Sequence, residues 1–276
     1  MLVFAGVAVS HTGLVRANNE DSAFLGPTCL VVADGVGGAA AGEVASATAT
    51  RVLSALFASP PDPATDPGAL LGAGVRLAQE RLALGVRRTS GHAGMATTLT
   101  AVATNGSDFA LAHVGDSRGF VLHEGCLTQV TEDHTYVRRL VQEGSLSEDE
   151  VGRHPWRHVL LRTVDGDVAE QGDLTALRLS AGDRVLLASD GLTDLVAPDR
   201  IESIVRDRDD AAAAQALLEE ALRAGGRDNV TCVIATVVQA NRPGAGRSDG
   251  LGELVGAARD PGLVVEPSTV AVPHSA

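Results

Sequence analysis

The chain has 276 residues, 45% of them apolar, and a net charge of −13 from 22 basic against 35 acidic side chains. That length can bury a sizeable core in one or two domains, and so acidic a chain would repel nucleic-acid phosphates rather than bind them. All 22 basic residues are arginine, which excludes a Walker-A lysine, a Schiff-base lysine and any lysine general base.

The opening run, MLVFAGVAVSHTG, lacks a basic leader and reads as a strand over Leu2–Val9. No apolar run approaches the ~20 residues that span a bilayer, so a soluble, cytoplasmic chain without membrane contact is expected. Further short apolar runs predict strands at Leu30–Ala33, Thr97–Ala103, Phe109–Val114, Gly119–Leu122, Arg184–Ala188 and Thr231–Val238. The turns Asn105-Gly106 and Glu124-Gly125 favour hairpins and antiparallel pairing. Apolar residues at helical spacing predict helices over Gly42–Ala58, Pro67–Val86 and Ala211–Arg223, with a shorter one at Tyr136–Gln142. Helices and strands do not alternate one for one. Antiparallel sheets flanked by helices, an α+β arrangement, therefore fit better than a βαβ repeat.

From about Gln239 the sequence loses any period, so the domain is expected to cover 1–238 and a flexible tail 239–276. Cys29, Cys126 and Cys232 lie near apolar residues and form no C-x-x-C pair. They are expected to be buried free thiols.

Four aspartates share a setting. Asp34 ends the run VVADG, Asp116 follows LAHVG, Asp190 ends VLLASD, and Asp228 precedes the run NVTCVIATVV. Strand ends place side chains reproducibly, so these carboxylates can meet at one edge of packed sheets. Clustered carboxylates resist ionising unless a cation joins them. Mg²⁺ or Mn²⁺ accepts such oxygen ligands, and a pair of ions about 4 Å apart can activate a water and clamp a phosphoryl group. Glycines beside Asp34 let a backbone carbonyl and a substrate approach. Glu20 and Asp21 could hydrogen-bond waters of such a centre. Arg16 offers a planar fork for phosphate oxygens, or else a surface ion pair with Glu20.

The motifs R-x-x-N-E-D (Arg16–Asp21), DGxGG (Asp34–Gly38), G-E-x-A-S (Gly42–Ser46), A-T-T (Ala96–Thr98), VGDSR (Val114–Arg118), D-H (Asp133-His134), HP (His154-Pro155), SDGL (Ser189–Leu192) and G-x-DN-x-T (Gly226–Thr231) occur in this order. Over roughly residues 5–238 the chain resembles the metal-dependent protein serine/threonine phosphatases of the type 2C class, the PPM family, in their short bacterial form. The resemblance implies a four-layer αββα sandwich. It implies hydrolysis of phosphoserine and phosphothreonine in proteins by a metal-activated water, at two core Mn²⁺ or Mg²⁺ ions with a weaker third site. Asp34 would bridge the core ions, the Gly35 carbonyl would bind one, and Asp190 and Asp228 would complete the other. Asp116 would join Asp190 at the third site, and Arg16 would bind the substrate phosphate. Glu20, Asp21 and Asn229 would support these ligands. Residues 138–166 resemble a mobile flap. The implied partners are phosphorylated proteins, serine/threonine kinases or their substrates, and a monomer is expected.

Three residues depart from the family pattern. Val36 stands where animal relatives carry a histidine, and it cannot protonate a leaving group. His11 replaces an aspartate, which removes an expected supporting hydrogen bond. His158 falls near the implied third site, where a nitrogen ligand would favour Mn²⁺ over Mg²⁺. Two other readings have distinct marks. Gly115–Gly119 fits the G-x-S-x-G of a serine hydrolase acting through Ser117, but that motif needs a helix after the serine and a strand follows here. A catalytically weak, phosphoprotein-binding regulator of the same fold would have lost metal aspartates, and all four remain.

Overall fold

The computed structural model describes residues 1–36, 41–170, 172–240 and 252–266. Strand β3 (Cys29–Ala33) is buried at every position, because its two faces meet different layers. Cys29, Val31 and Ala33 pack under helices, while Leu30 and Val32 pack against the other sheet. A strand covered on both faces shows no polar alternation, which accounts for the unbroken VVA run.

One sheet runs in the order β1 (Leu2–His11), β12 (Val230–Gln239), β11 (Arg184–Ala188), β8 (Arg118–His123) and β9 (Cys126–Gln129). The other runs β10 (Asp173–Leu177), β7 (Phe109–Val114), β6 (Leu99–Thr104), β3, β2 (Ser22–Leu25) and β13 (Glu253–Gly256). All their pairings are antiparallel. Phe4, Leu30, Val102, Leu187 and Val233 fill the space between the sheets. Helices α1 (Gly42–Leu56) and α2 (Pro67–Arg88) cover the six-stranded sheet. Helices α6 (Pro198–Asp207) and α7 (Asp210–Arg223) cover the five-stranded sheet. The four-layer αββα sandwich is therefore present. Short elements complete it: the pair β4 (Gly35–Val36) and β5 (Ala96–Thr97), and the helices α3 (Tyr136–Gln142), α4 (Glu148–Val151) and α5 (Asp190–Thr193).

The structure departs from the sequence expectations in three places. First, residues 252–266 are not a free tail. Glu253–Gly256 pair with β2, and Ala257, Ala258 and Val264 pack on Ala47 of α1. A four-residue strand that gains its stability from an existing sheet edge carries too little pattern of its own to be read in sequence. The rest of the expected tail, apart from Gln239 and Ala240, lies outside the described residues, as do Gly37-Gly38 and His274. Second, Cys126 is exposed, while Cys29 and Cys232 are buried. Cys126 opens β9, an edge strand with little cover. Third, β2, β4, β9, β10, α4, α5 and α6 were not expected. All but α6 are five residues or shorter, and α6 buries only Ile201, Ile204 and Val205.

Candidate metal centre

A cleft of about 550 Å³ opens at one end of the sandwich, lined by Arg16, Glu20, Asp34, Gly35, Asp116, His158, Asp190, Asp228 and Asn229. These are the residues singled out in the sequence, save Asp21, which lies fully buried. The four aspartates come from four different strand ends, at β3, β7, β11 and β12.

Asp34 is held through its backbone. Its N–H donates to Thr98 Oγ1 at 2.9 Å, and its C=O accepts from the Thr98 N–H at 2.9 Å and the Thr97 hydroxyl at 2.8 Å. The A-T-T motif is thus the clamp on the Asp34 peptide, and the carboxylate is left to meet Asp190 in the cleft. Gly42 opens α1 against the next residue: a Cβ there would lie 2.5 Å from Glu20 Oε2 and 3.0 Å from the Gly35 carbonyl carbon. Ser46, one turn on, donates to the Glu20 carbonyl. The G-E-x-A-S motif therefore packs α1 directly onto the two acidic loops.

Asn229 staples the other side. Its Nδ2 donates to the carbonyls of Thr12 and Asn18, and its Oδ1 accepts from the Glu20 N–H at 2.7 Å. Ser189 donates to Asp21 Oδ2 at 2.8 Å and accepts from the Thr231 N–H at 3.0 Å. Gly191, just after Asp190, faces the Asn229 carbonyl, where a Cβ would sit 1.9 Å from the oxygen. Beyond Asp116, Arg118 grips Asp133 with paired hydrogen bonds of 2.6–3.0 Å. His134 Nδ1 accepts from the Gly115 N–H at 3.1 Å. The D-H pair fixes the loop that presents Asp116.

Burial dominates the electrostatics, and crowding of like charges adds to it. Burial, then Asp21 and Asp190, push the Asp34 carboxyl well above the usual carboxylate range. Burial and Asp190 do the same to Asp116. Asp190 is pushed up to about 6 by burial, Asp194 and Asp228. Asp21 reaches about 7, chiefly through burial, and its Oδ1 has no hydrogen-bond partner. Such a set resists ionising unless positive charge enters the cleft. Its donors are carboxylate and carbonyl oxygens, the set that hard dications select. By both tests the residues fit Mn²⁺ or Mg²⁺.

Arg16 does not pair with Glu20 in the way the spacing allowed; its Nη2 donates to Asp228 Oδ2 at 2.6 Å. His11 supplies a bond of its own, since its Nδ1 accepts from the Gly13 N–H at 2.9 Å. His158 Nδ1 lies 3.6 Å from Asp194 Oδ2 and 3.9 Å from Asp190 Oδ2, and ligand atoms of the three residues lie within 4.8 Å of one another. Sequence reasoning missed Asp194. The signal was present in SDGLTD, where Asp190 and Asp194 stand four apart and so share a helical face. Thr98, Ser189 and the Arg118–Asp133 pair were likewise not recognised as supports. Ser117 is fully buried between β7 and β8, with its Oγ 2.7 Å from Thr98 Oγ1. No helix follows it, so the nucleophile-elbow reading fails on geometry.

Comparison with known proteins places the chain in a family. A sequence model of the family described as Protein phosphatase 2C matches residues 17–224. The serine/threonine protein phosphatase PstP of Mycobacterium tuberculosis is 45% identical over 237 residues, which cover 86% of this chain and 46% of PstP. The serine/threonine phosphatase stp of Listeria monocytogenes is 32% identical over 237 residues, covering 80% of this chain and 91% of its own. The crystal structure of M. tuberculosis PstP/Ppp superposes with a TM-score of 0.82 at 43% identity, covering 86% of this chain and all of that one. The PstP catalytic domain in complex with two manganese ions gives 0.80 at 42%, covering 87% of this chain and all of that one. The chain spans about half the length of the PstP proteins it matches.

Proposed function

This chain belongs to the protein phosphatase 2C family, and from that premise we propose that it hydrolyses phosphoserine and phosphothreonine esters in proteins at a Mn²⁺ or Mg²⁺ centre. The observation that carries the reading is the single cleft that gathers Asp34, Asp116, Asp190 and Asp228 beside Arg16. Asp34, the Gly35 carbonyl, Asp190 and Asp228 would hold two core ions, and Asp116 with Asp190 a third. When bound, such ions lower the pKa of a water and offset charge on the phosphoryl oxygens.

The protein's own groups position the rest. Arg16 reaches the cleft from an exposed loop, and its always-charged guanidinium is pushed further up chiefly by the hydrogen bond to Asp228. A phosphate monoester offers it the same bidentate oxygens that a carboxylate does. Thr97 and Thr98 keep the Asp34 peptide fixed, so the carboxylate needs no reorganisation. Asn229 and Glu20 tie the arginine loop to the β12 end that carries Asp228. Val36 lines the cleft and has no proton to give. His158, with Asp190 and Asp194, adds a nitrogen donor on the side of the cleft nearest Asp116, where it would favour Mn²⁺.

The substrates under this reading are phosphorylated kinases or their targets. Among the described residues no helix is long and apolar enough to cross a membrane. Free buried thiols at Cys29 and Cys232 fit a reducing compartment, so we place the reaction in the cytoplasm. The test is Mn²⁺-dependent hydrolysis of phosphoserine, phosphothreonine and phosphotyrosine peptides, with Asp34→Ala as control. The expected result is release of phosphate from the first two, abolished by chelator and by the variant. Equal activity in Asp34→Ala would overturn the assignment.

A further inference from the structure

The segment 252–266 returns to the sandwich at a telling place. β13 extends the six-stranded sheet beyond β2 in the register Glu253 to Leu25, Val255 to Ala23 and Gly256 to Ser22. It therefore runs toward the cleft and ends beside Asp21. There the chain turns: Gly256 has φ 67°, and a Cβ on it would lie 2.1 Å from the Asp21 carbonyl oxygen and 3.0 Å from Ser10 Oγ. The next residue, Ala257, donates its N–H to that same Asp21 carbonyl at 2.8 Å.

The carbonyls of Glu20 and Asp21 are thus tied from three directions. The Gly35 N–H and the Ser46 hydroxyl both donate to the Glu20 carbonyl, and Ala257 donates to the Asp21 carbonyl. The first two ties come from the DG turn and from α1. The third comes from a segment beyond residues 17–224, the span matched by the family model. Past the turn the segment grips α1 as well. Arg51 Nε donates to the Ala258 carbonyl at 2.8 Å, and the Val265 N–H donates to Thr48 Oγ1 at 3.0 Å. Arg81 and Arg88 of α2 pair with Glu266. One strap therefore spans β2, α1 and α2, and the first two of these flank the acidic loops.

We propose that residues 252–266 are a positioning strap for the metal centre, acting through Asp21. The Asp21 side chain is fully buried and accepts from Ser189, the residue before Asp190. A shift of the Asp21 backbone is passed to Ser189 and so to a residue that lines the cleft. The strap touches neither substrate nor reacting atoms. Its effect falls on how well the carboxylates are placed before an ion arrives. This role rests on the metal-centre reading above.

The test measures Mn²⁺ affinity by calorimetry in the full chain, in Gly256→Val, and in a chain truncated after residue 240. Removing a support behind metal ligands typically weakens affinity about 10- to 100-fold. That loss is expected in both variants, with turnover at saturating Mn²⁺ largely kept. A synthetic peptide of residues 250–266, added to the truncated chain, is expected to restore the affinity. If the truncated chain does not fold, Gly256→Val in the full chain carries the test. A variant that melts at lower temperature but binds Mn²⁺ as tightly as the full chain overturns the strap's role. A full chain that binds no Mn²⁺ overturns the metal-centre reading itself, and the two failures are told apart by that control.

Discussion

Arg16 and Asp228 stand 212 positions apart in sequence, and their side chains meet at 2.6 Å across the mouth of the cleft. Both are partly exposed, at 50% and 38% of the side chain, so screening leaves the pair about 1 kcal/mol or less of stabilisation. The pair is weak enough to exchange for a phosphate. Arg16→Ala should lose charge-assisted bonds worth about 1.5–3 kcal/mol, a drop of roughly 10- to 150-fold in kcat/KM. Arg16→Lys should recover little, because an ammonium cannot grip two oxygens in one plane. Steady-state kinetics on a phosphothreonine peptide checks both, and an unaltered Arg16→Ala enzyme would remove Arg16 from phosphate binding.

Without metal, the two raised carboxylates Asp190 and Asp21 should each cost stability as pH rises. Asp190 at about 6 and Asp21 at about 7 both lie above the unfolded value of about 3.9. Between those limits the folded chain holds more protons than the unfolded one, so stability declines with pH. His113 acts in the opposite sense. Burial drives it down to about 4, so below about pH 6.5 the unfolded imidazole takes up a proton that the folded one refuses. That contribution is common to protein with and without metal. The gap in Tm between manganese-loaded and chelator-treated protein should therefore widen from about pH 4 to about pH 7. A constant gap would mean that these carboxylates release no protons to solvent when the metal binds.

Gly191→Ala tests how closely the SDGL and DN loops meet. In an open helix this change would stabilise by roughly 1 kcal/mol. Here the new methyl would meet the Asn229 carbonyl, so overpacking should cost about 1–3 kcal/mol instead. Mn²⁺ affinity should fall with it, because Asp190 and Asp228 flank the contact. A denaturant midpoint and a metal titration together check the direction of both changes.

Ser117→Ala separates a support from a nucleophile. The hydroxyl is buried against Thr98, which receives the Asp34 N–H. Its loss should cost about 1–3 kcal/mol of stability through the unpaired partner and leave metal-dependent turnover largely intact. Loss of all activity in a well-folded variant would reopen the serine-hydrolase reading.

His158→Ala should abolish any ¹⁴N coupling in the electron paramagnetic resonance spectrum of the manganese-loaded protein and reduce the preference for Mn²⁺ over Mg²⁺. Unchanged coupling and unchanged preference would leave His158 as a residue of the loop surface, where it is half exposed.

Much of this could be read in the chain, for a physical reason. Asp34 and Asp190 follow strands so apolar that both their type and their ends stand out. A glycine after each marks a backbone with no room for a side chain, and Gly191 shows the steric cause. The strap was not legible, since Glu253–Gly256 form a strand only because β2 offers a free edge. Exposed edge strands such as β10 hid for the same reason. The Arg16–Asp228 contact was beyond reach too: local spacing favoured Glu20, and the true partner comes from the far end of the domain.

The clamp that Thr97 and Thr98 place on Asp34 has a bearing on quality control. Each of the four aspartates hangs from a different strand, and the clamp locks β3 to a neighbour 63 residues later in sequence. A one-residue slip in any of these pairings would turn a carboxylate away from the cleft. Such a slip is accordingly expected to weaken the whole centre, because the candidate ligands would no longer share one cleft. Tight binding of free Mn²⁺ should therefore separate refolded chains in correct register from compact ones that are not.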